Sequence, residues 1–189
     1  GRRAAIASWT GCVGSTRCRL APAGSDVAPP PRCCGESRPL RLRSLVHELV
    51  PDDFDVPAVL EHERFRLRML SVDDVVQDFD AICDRVDHEG RPQPPFVPTV
   101  AENLVDLGWH QKEFELRRSF AYTVVATDES RVLGCVYLNP SETHDTRITM
   151  WVRRTAWDEG LDPVLEATVR AWIEQDWPFE TVDWAARSR

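Results

Sequence analysis

Lysine is nearly missing from this chain: Lys112 is the one lysine among 23 basic residues, and all the others are arginine. Methionine is also scarce, and Met69 is the first of only two. An arginine excess of this kind is the bias of a GC-rich coding sequence. It favours the hypothesis that residues 1–43 are non-native, read in frame from upstream, with a natural start near Val46.

Long apolar runs and paired cysteine spacings are both absent from the sequence. No stretch reaches the roughly 20 apolar residues that cross a bilayer, so we expect no membrane association and a cytoplasmic protein. Cys83 and Cys135 fall on apolar faces and are expected to be small core residues. The other four cysteines lack the spacing of zinc ribbons, so no metal site is predicted: Cys12, Cys18, Cys33 and Cys34.

Charge divides the chain into two unlike parts. Residues 1–43 carry eight arginines against Asp26 and Glu36, and their Arg, Ala, Pro, Gly and Ser content predicts a disordered basic extension. The formal charge of the whole chain is -8, so the remainder carries -14. Such an acidic remainder excludes nucleic acid as an expected partner and suits a cationic one. We interpret residues 44–63 as an acidic lead-in and residues 64–189 as one folded domain.

Hydrophobic periodicity predicts eight elements in the order β-α-α-β-β-β-α-β. Ser71 with Asp74, and Thr99 with Glu102, form capping-box patterns that begin the first two helices. A hairpin follows, in which Gly134 marks a bulge or a close backbone approach. The predicted elements are a strand over 65–69, helices over 71–86 and 99–118, strands over 120–126, 132–138 and 147–152, a helix from 161 and a strand over 179–184.

The stretch from Arg147 to Trp184 resembles the acyl-CoA-binding half of the GNAT family of N-acetyltransferases. Its strand, glycine-bearing loop, amphipathic helix and strand follow the family's order, and the likeness extends over residues 64–187. The resemblance implies an α/β (α+β) fold with a mixed central sheet flanked by helices. It also implies transfer of an acetyl group from acetyl-CoA, as co-substrate, to an amine of a small molecule or peptide.

The family's pyrophosphate loop is degenerate in this chain. Arg154 stands where the family has proline, Trp157 where it has Arg or Gln, and Asp162 where it has a second glycine, while Gly160 matches the first. Alternatively, Asp162 and Pro163 simply begin an ordinary helix. The positions that the resemblance implies for acyl-CoA binding are Met150, Trp151, Val152, Arg153, Arg154, Trp157, Gly160 and Leu161.

Candidate catalytic residues come from the turn before the strand at Arg147. Amine acetylation needs a general base, and Glu142, His144 and Asp145 are the titratable groups of that turn. Trp109 and His110 on the second helix could line an acceptor pocket, or lie at the edge of the core. The chain ends before the family's last helix, so no tyrosine inherits the family's general-acid position.

Two further alternatives concern activity and assembly. The chain could be a non-catalytic GNAT-like binding or interaction protein, because fold alone does not establish chemistry. Five tryptophans crowd the carboxyl half, where they either cover the open side of the sheet or form an exposed patch for a partner or a homodimer: Trp151, Trp157, Trp172, Trp177 and Trp184.

Overall fold

The computed structural model describes residues 48–94 and 99–185. The predicted basic extension and its boundary at residue 43 lie outside these residues, as does part of the proline-rich connection, residues 95–98. Within the described part of the chain, no helix is long and apolar enough to span a membrane. The same residues contain no cluster of three or more His, Cys, Asp or Glu that could hold a metal ion.

Seven strands and four α-helices make up the described structure, and they include every element that the periodicity predicts. In chain order they are β1 (Val59–His62), β2 (Phe65–Met69), α1 (Val75–Cys83), β3 (Arg85–Val86), α2 (Val100–Glu115), β4 (Phe120–Val125), β5 (Val132–Asn139), β6 (Thr146–Arg153), α3 (Arg154–Asp158), α4 (Leu161–Asp176) and β7 (Val182–Asp183). A single 3₁₀ turn, Val72–Asp74, leads into α1.

The strands form one mixed sheet in the order β1-β2-β4-β5-β6-β3, with β7 also pairing with β6. All pairings are antiparallel except that of β6 with β7, which is parallel. Gly134 lies in the middle of the sheet, where an added Cβ would collide with the main chain of Trp151 and Val152. The close approach expected at this glycine is therefore present, next to a register shift between Val124 and Val125.

Side chains that alternate along the strands build a separate apolar core on each face of the sheet. On one face α4 buries Leu165, Val169 and Trp172 against strand residues that include Ile148 and Val152. On the other face α1 and α2 pack against a smaller cluster that includes Cys135 and Trp151. The sheet thus separates an apolar layer under α4 from a more polar layer under α1 and α2.

Three elements were not predicted, and each has a physical reason. β1 lies in the segment that we interpreted as a lead-in. It is a strand because it pairs with β2 in a short antiparallel hairpin. β3 and α3 are only two and five residues long, below the length at which periodicity is informative. The first predicted helix therefore ends at Cys83, and Val86 belongs to β3.

Two local predictions at α1 were wrong and one at α2 is confirmed. Ser71 accepts a hydrogen bond from the Asp73 amide at 3.2 Å, but the Asp74 carboxylate binds the Arg68 guanidinium instead of completing a capping box. Cys83 is exposed, whereas Cys135 is buried as expected. At α2 the predicted cap is present, since the Thr99 Oγ1 accepts from the Glu102 amide.

Candidate active site

The edge of β6 opens into a crevice between two short strands. β7 pairs with the beginning of β6, at Thr146 and Arg147, whereas β3 pairs with its end, at Val152 and Arg153. A crevice of about 170 Å³ lies between these pairings. The residues along it are Asp87, His88, Ile148, Thr149, Met150, Trp184 and Ala185. We call this space the edge crevice.

A larger cavity of about 280 Å³ lies on the α1 and α2 face of the same strand. We call it the helix-side cavity. Helix α2 contributes a carboxylate and an imidazole to its wall, β5 and β6 contribute hydroxyl, amide and indole groups, and β3 contributes a guanidinium. The lining residues are Ile82, Arg85, Asp106, His110, Tyr137, Asn139, Thr149 and Trp151.

Thr149 lines both spaces. Its side chain lies on the face opposite Ile148 and Met150, because successive residues of a strand point to opposite faces, and its main chain belongs to the stretch of β6 between the β7 and β3 pairings. The edge crevice and the helix-side cavity therefore meet at β6. Two reactants that entered from these two sides would approach each other beside Thr149.

His110 is the titratable group in the helix-side cavity whose surroundings suit a base. Its Nε2 lies 3.6 Å from Asp106 Oδ2, and its ring lies against Tyr137 with centroids 5.0 Å apart. Burial lowers the pKa of His110, and the negative charges of Asp106 and Glu113 oppose this effect. A lowered pKa keeps the imidazole neutral near pH 7, which is the form that accepts a proton.

A buried polar chain leads away from the cavity beneath Tyr137. The Tyr137 hydroxyl accepts a hydrogen bond from Trp151 Nε1 at 3.4 Å, and Cys135 lies two residues earlier on the same face of β5. The Cys135 thiol donates to Asp78 Oδ1 at 3.6 Å, and Asn103 Nδ2 donates to Asp78 Oδ2 at 2.9 Å. Because Asp78 is only 2% exposed, burial raises the pKa of its carboxyl group.

The strand end that the resemblance assigns to pyrophosphate is covered. Val152 pairs with Val86 of β3, and the Arg154 amide donates to the Asp84 carbonyl at 2.8 Å. A pyrophosphate site of the kind that the resemblance implies needs free main-chain N–H groups at this turn, and the Arg154 N–H is already bonded. The Arg153 side chain is also occupied, since its guanidinium lies 2.9 Å from the Asp80 carboxylate and 3.7 Å from the Asp84 carboxylate.

Trp157, which replaces the family's Arg or Gln, is held under the turn that follows β3. Gly90 has a φ of +74°, and a Cβ added there would lie 2.6 Å from the Trp157 ring. Gly160, also left-handed with a φ of +72°, is the N-cap of α4 and precedes Leu161, the first residue of that helix. The alternative interpretation expected Asp162 as the N-cap and Pro163 as the first helical residue, but α4 begins earlier, with Gly160 as its N-cap and Asp162 in its first turn.

The remaining predicted residues are spread over three places. Met150 lines the edge crevice and Trp151 the helix-side cavity. Glu142 and His144 lie exposed in the β5–β6 turn, where His144 Nδ1 is 2.9 Å from Thr143 Oγ1. Asp145 of the same turn accepts hydrogen bonds from the Thr181 amide and hydroxyl and from the Glu180 amide, which lower its pKa and tie the turn to the segment before β7.

A solved structure of 13% sequence identity shows which fold the chain has. A ribosomal-protein-serine acetyltransferase from Vibrio cholerae superposes with a TM-score of 0.51 at 13% identity, over 67% of this chain and 70% of that one. This chain has the GNAT fold. The α+β fold with a mixed central sheet flanked by helices, which the resemblance implies, is confirmed.

Other acetyltransferase structures are similar at lower TM-scores. RimL, a ribosomal L7/L12 alpha-N-protein acetyltransferase solved with coenzyme A, has a TM-score of 0.45 at 13% identity, over 63% of this chain and 70% of that chain. A further acetyltransferase structure has a TM-score of 0.47 at 14% identity, over 65% of this chain. The present chain spans 61% of that protein's length. No protein-family profile and no curated protein matches the sequence.

Most residues that line the helix-side cavity were not predicted from the sequence. The suggestion that His110 could line an acceptor pocket agrees with its position in the cavity wall, whereas its neighbour Trp109 is 52% exposed. Asp106 lies four residues before His110, and that spacing on a helix is a signal that could have paired them. Arg85 and Thr149 carried no such signal, because only the pairing of β3 with β6 brings them together.

Proposed function

We propose that this chain is an N-acyltransferase that moves an acetyl group from acetyl-CoA to an amine. The observation that carries the proposal is that the edge crevice and the helix-side cavity meet at Thr149. The acyl end of the thioester would enter along the edge of β6. The amine would enter from the helix-side cavity, so that donor and acceptor meet across one strand.

His110 is the proposed general base. The nitrogen of the neutral amine attacks the thioester carbonyl, the C–N bond forms, and the C–S bond breaks to release the CoA thiolate. The proton that the amine loses passes to His110, directly or through one water molecule, and the thiolate takes up a proton from solvent. A main-chain N–H of β6 would polarise the carbonyl oxygen, as the resemblance implies.

Acyl-CoA contacts are proposed to centre on Met150 and the rest of the edge crevice. The predicted positions from Val152 to Leu161 would then contribute less than the resemblance implies, because β3 and the turn at Gly90 cover this end of the strand. Glu142 and His144, the candidates from the sequence, line neither space among the described residues and are the weaker choice of base.

A thioester-cleavage assay with a panel of small amines and short peptides tests the proposal. Release of free CoA thiol should depend on the amine, and Thr149→Trp should abolish it by filling the junction of the two spaces. Thr143→Trp is the matched control, because Thr143 lies exposed in the β5–β6 turn. Amine-dependent release that persists in Thr149→Trp at the wild-type rate would contradict the proposed site.

A specific observation favours a second candidate, a non-catalytic GNAT-like binding protein. Asp158 and Glu159 lie at the turn where the family binds pyrophosphate, and the Arg154 guanidinium is already 3.9 Å from Asp158 and stacked on Trp157. The amides of Arg154, Glu159 and Gly160 also have main-chain acceptors. Under this candidate the protein would cleave no thioester with any amine and would show no stabilisation by acetyl-CoA.

Cellular location and assembly remain proposals of the sequence. We propose a cytoplasmic protein whose acceptor is a small-molecule or peptide amine, without nucleic acid or membrane partners. The patch interpretation of the tryptophans loses three of its members, since Trp151, Trp172 and Trp177 are between 4% and 9% exposed. A homodimer is still a prediction, and sedimentation at high protein concentration tests it.

A further inference from the structure

Arg85 is unusual among the arginines of this acidic chain. Ten of the twelve arginines in residues 48–94 and 99–185 lie within ion-pair distance of a carboxylate. The two exceptions are Arg64 and Arg85. Arg64 donates to the carbonyls of Glu159 and Gly160 at the end of α3, which gives it a structural role.

The guanidinium of Arg85 lines the helix-side cavity with most of its hydrogen-bonding capacity unused. Its one contact within the described structure is a hydrogen bond from Nη2 to the Pro94 carbonyl at 2.9 Å, and its Nε is buried with no acceptor there. A guanidinium carries five N–H donors in a planar fork that matches a carboxylate. Because this cation has no carboxylate partner among residues 48–94 and 99–185, it is available for an anionic group of a ligand.

The same cavity holds a group of opposite charge on a different element. Asp106 of α2 lies beside His110, and Asp106 and Arg85 do not form an ion pair with each other. The Nδ1 atom of His110 is also buried without a partner among the described residues. The cavity therefore offers a carboxylate and an imidazole to an amine, and a separate guanidinium to a carboxylate.

We propose that the acceptor is a small zwitterionic amine of the amino-acid class, whose carboxylate binds Arg85 and whose amino group lies between Asp106 and His110. The inference rests on the proposed function and names its acceptor. Asp106 attracts the ammonium form, which loses one proton to solvent before attack, and His110 takes the second proton, which the nitrogen loses as the C–N bond forms. The cavity of about 280 Å³ and its apolar members Ile82 and Trp151 leave space for a side chain of moderate size.

Direct binding tests this assignment independently of turnover. Saturation-transfer NMR on the full chain, with and without CoA, is recorded for the natural amino acids, for their carboxamides and for the corresponding acids without an amino group. We expect at least one amino acid to bind at least about tenfold more tightly than both of its analogues, since a hydrogen-bonded charge pair contributes that much. The assignment would be overturned if each amino acid bound no more tightly than its carboxamide, or if no amino acid bound.

Variants assign the two charges separately. Arg85→Gln should remove the preference for the amino acid over its carboxamide. Asp106→Asn should remove the preference for the amino acid over its deaminated analogue. Arg118→Gln and Asp176→Asn are the matched controls, because these charges lie outside the cavity and should leave both preferences unchanged. An unchanged preference in Arg85→Gln contradicts the role of Arg85 even if the variant folds normally.

Failure of this inference and failure of the proposed function have different signatures. If carboxamides and simple amines promote thioester cleavage as well as amino acids do, the chain is an acetyltransferase and the zwitterion assignment is wrong. If no amine promotes cleavage while amino acids still bind through Arg85 and Asp106, the proposed function is wrong and the cavity is an amino-acid site.

Discussion

The two faces of β6 differ in the groups that they bury and in how much of each face could be predicted from the sequence. Ile148 and Val152 face α4 in a mostly apolar layer, whereas Thr149 and Trp151 face α1 and α2 among hydroxyl, thiol, imidazole and carboxyl groups. The apolar face stabilises the fold, because burial of apolar surface is the main favourable term. The polar face costs stability where its groups are desolvated, and this is the usual property of a binding or catalytic site. Substitutions on the two faces should therefore affect different measurements.

Replacement of His110 should have the largest effect, and on activity alone. We expect His110→Gln to lower the turnover of the best amine by about 10²- to 10⁴-fold at neutral pH, the usual contribution of a general base. Its melting temperature should change little, since the ring is at the edge of the core. His144→Gln is the matched control and should retain full activity. Loss of activity in His144→Gln but not in His110→Gln would show that the general base lies in the β5–β6 turn.

Truncation on the apolar face should affect stability most. Leu165 of α4 is fully buried, and Leu165→Ala should lower the free energy of unfolding by about 2–5 kcal/mol, through lost transfer energy and the cavity that remains. Urea unfolding measures the change, with Glu174→Ala on the exposed side of α4 as control. A loss below about 1 kcal/mol would show that α4 is less tightly packed than its burial indicates.

The buried carboxyl group on the polar face should make a smaller contribution that depends on pH. Because burial raises the pKa of Asp78, the folded state binds a proton more tightly than the unfolded state does. Stability from this group is therefore present at low pH and is lost as pH rises from about 3.8 through the raised pKa. Asp78→Asn should remove this loss and raise stability at pH 7 by on the order of 1 kcal/mol.

Unfolding curves between pH 3 and pH 8 test this prediction, with Asp73→Asn as an exposed control. If the difference between Asp78→Asn and the wild type is independent of pH, Asp78 does not titrate as its burial requires.

The apolar face of β6 and the helix that covers it could be predicted from the sequence, whereas little of the polar face could be. The periods of β6 and α4 are visible because apolar residues recur at fixed spacing, so the fold followed from Ile148, Leu165 and their neighbours. The helix-side cavity depends instead on one two-residue strand. β3 brings Arg85 to the end of β6, covers the expected phosphate turn and leaves the crevice further along the edge. A pairing that short leaves no periodic signal, so no residue pattern could have indicated it.

The same limit explains the choice of base. Glu142 and His144 were chosen for their nearness to β6 in sequence, whereas His110 lies on a helix that only tertiary packing brings beside β5. Its pairing with Asp106 was visible as a helical spacing, but the cavity that makes this pair relevant was not.

The central claim is that acetyl-CoA binds along the edge of β6, and a calorimetric titration tests it most directly. Wild-type protein and Thr143→Trp should bind acetyl-CoA saturably with one affinity, and Thr149→Trp should bind it at least about tenfold more weakly. An absence of heat at millimolar ligand, or unchanged affinity in Thr149→Trp, would contradict the account.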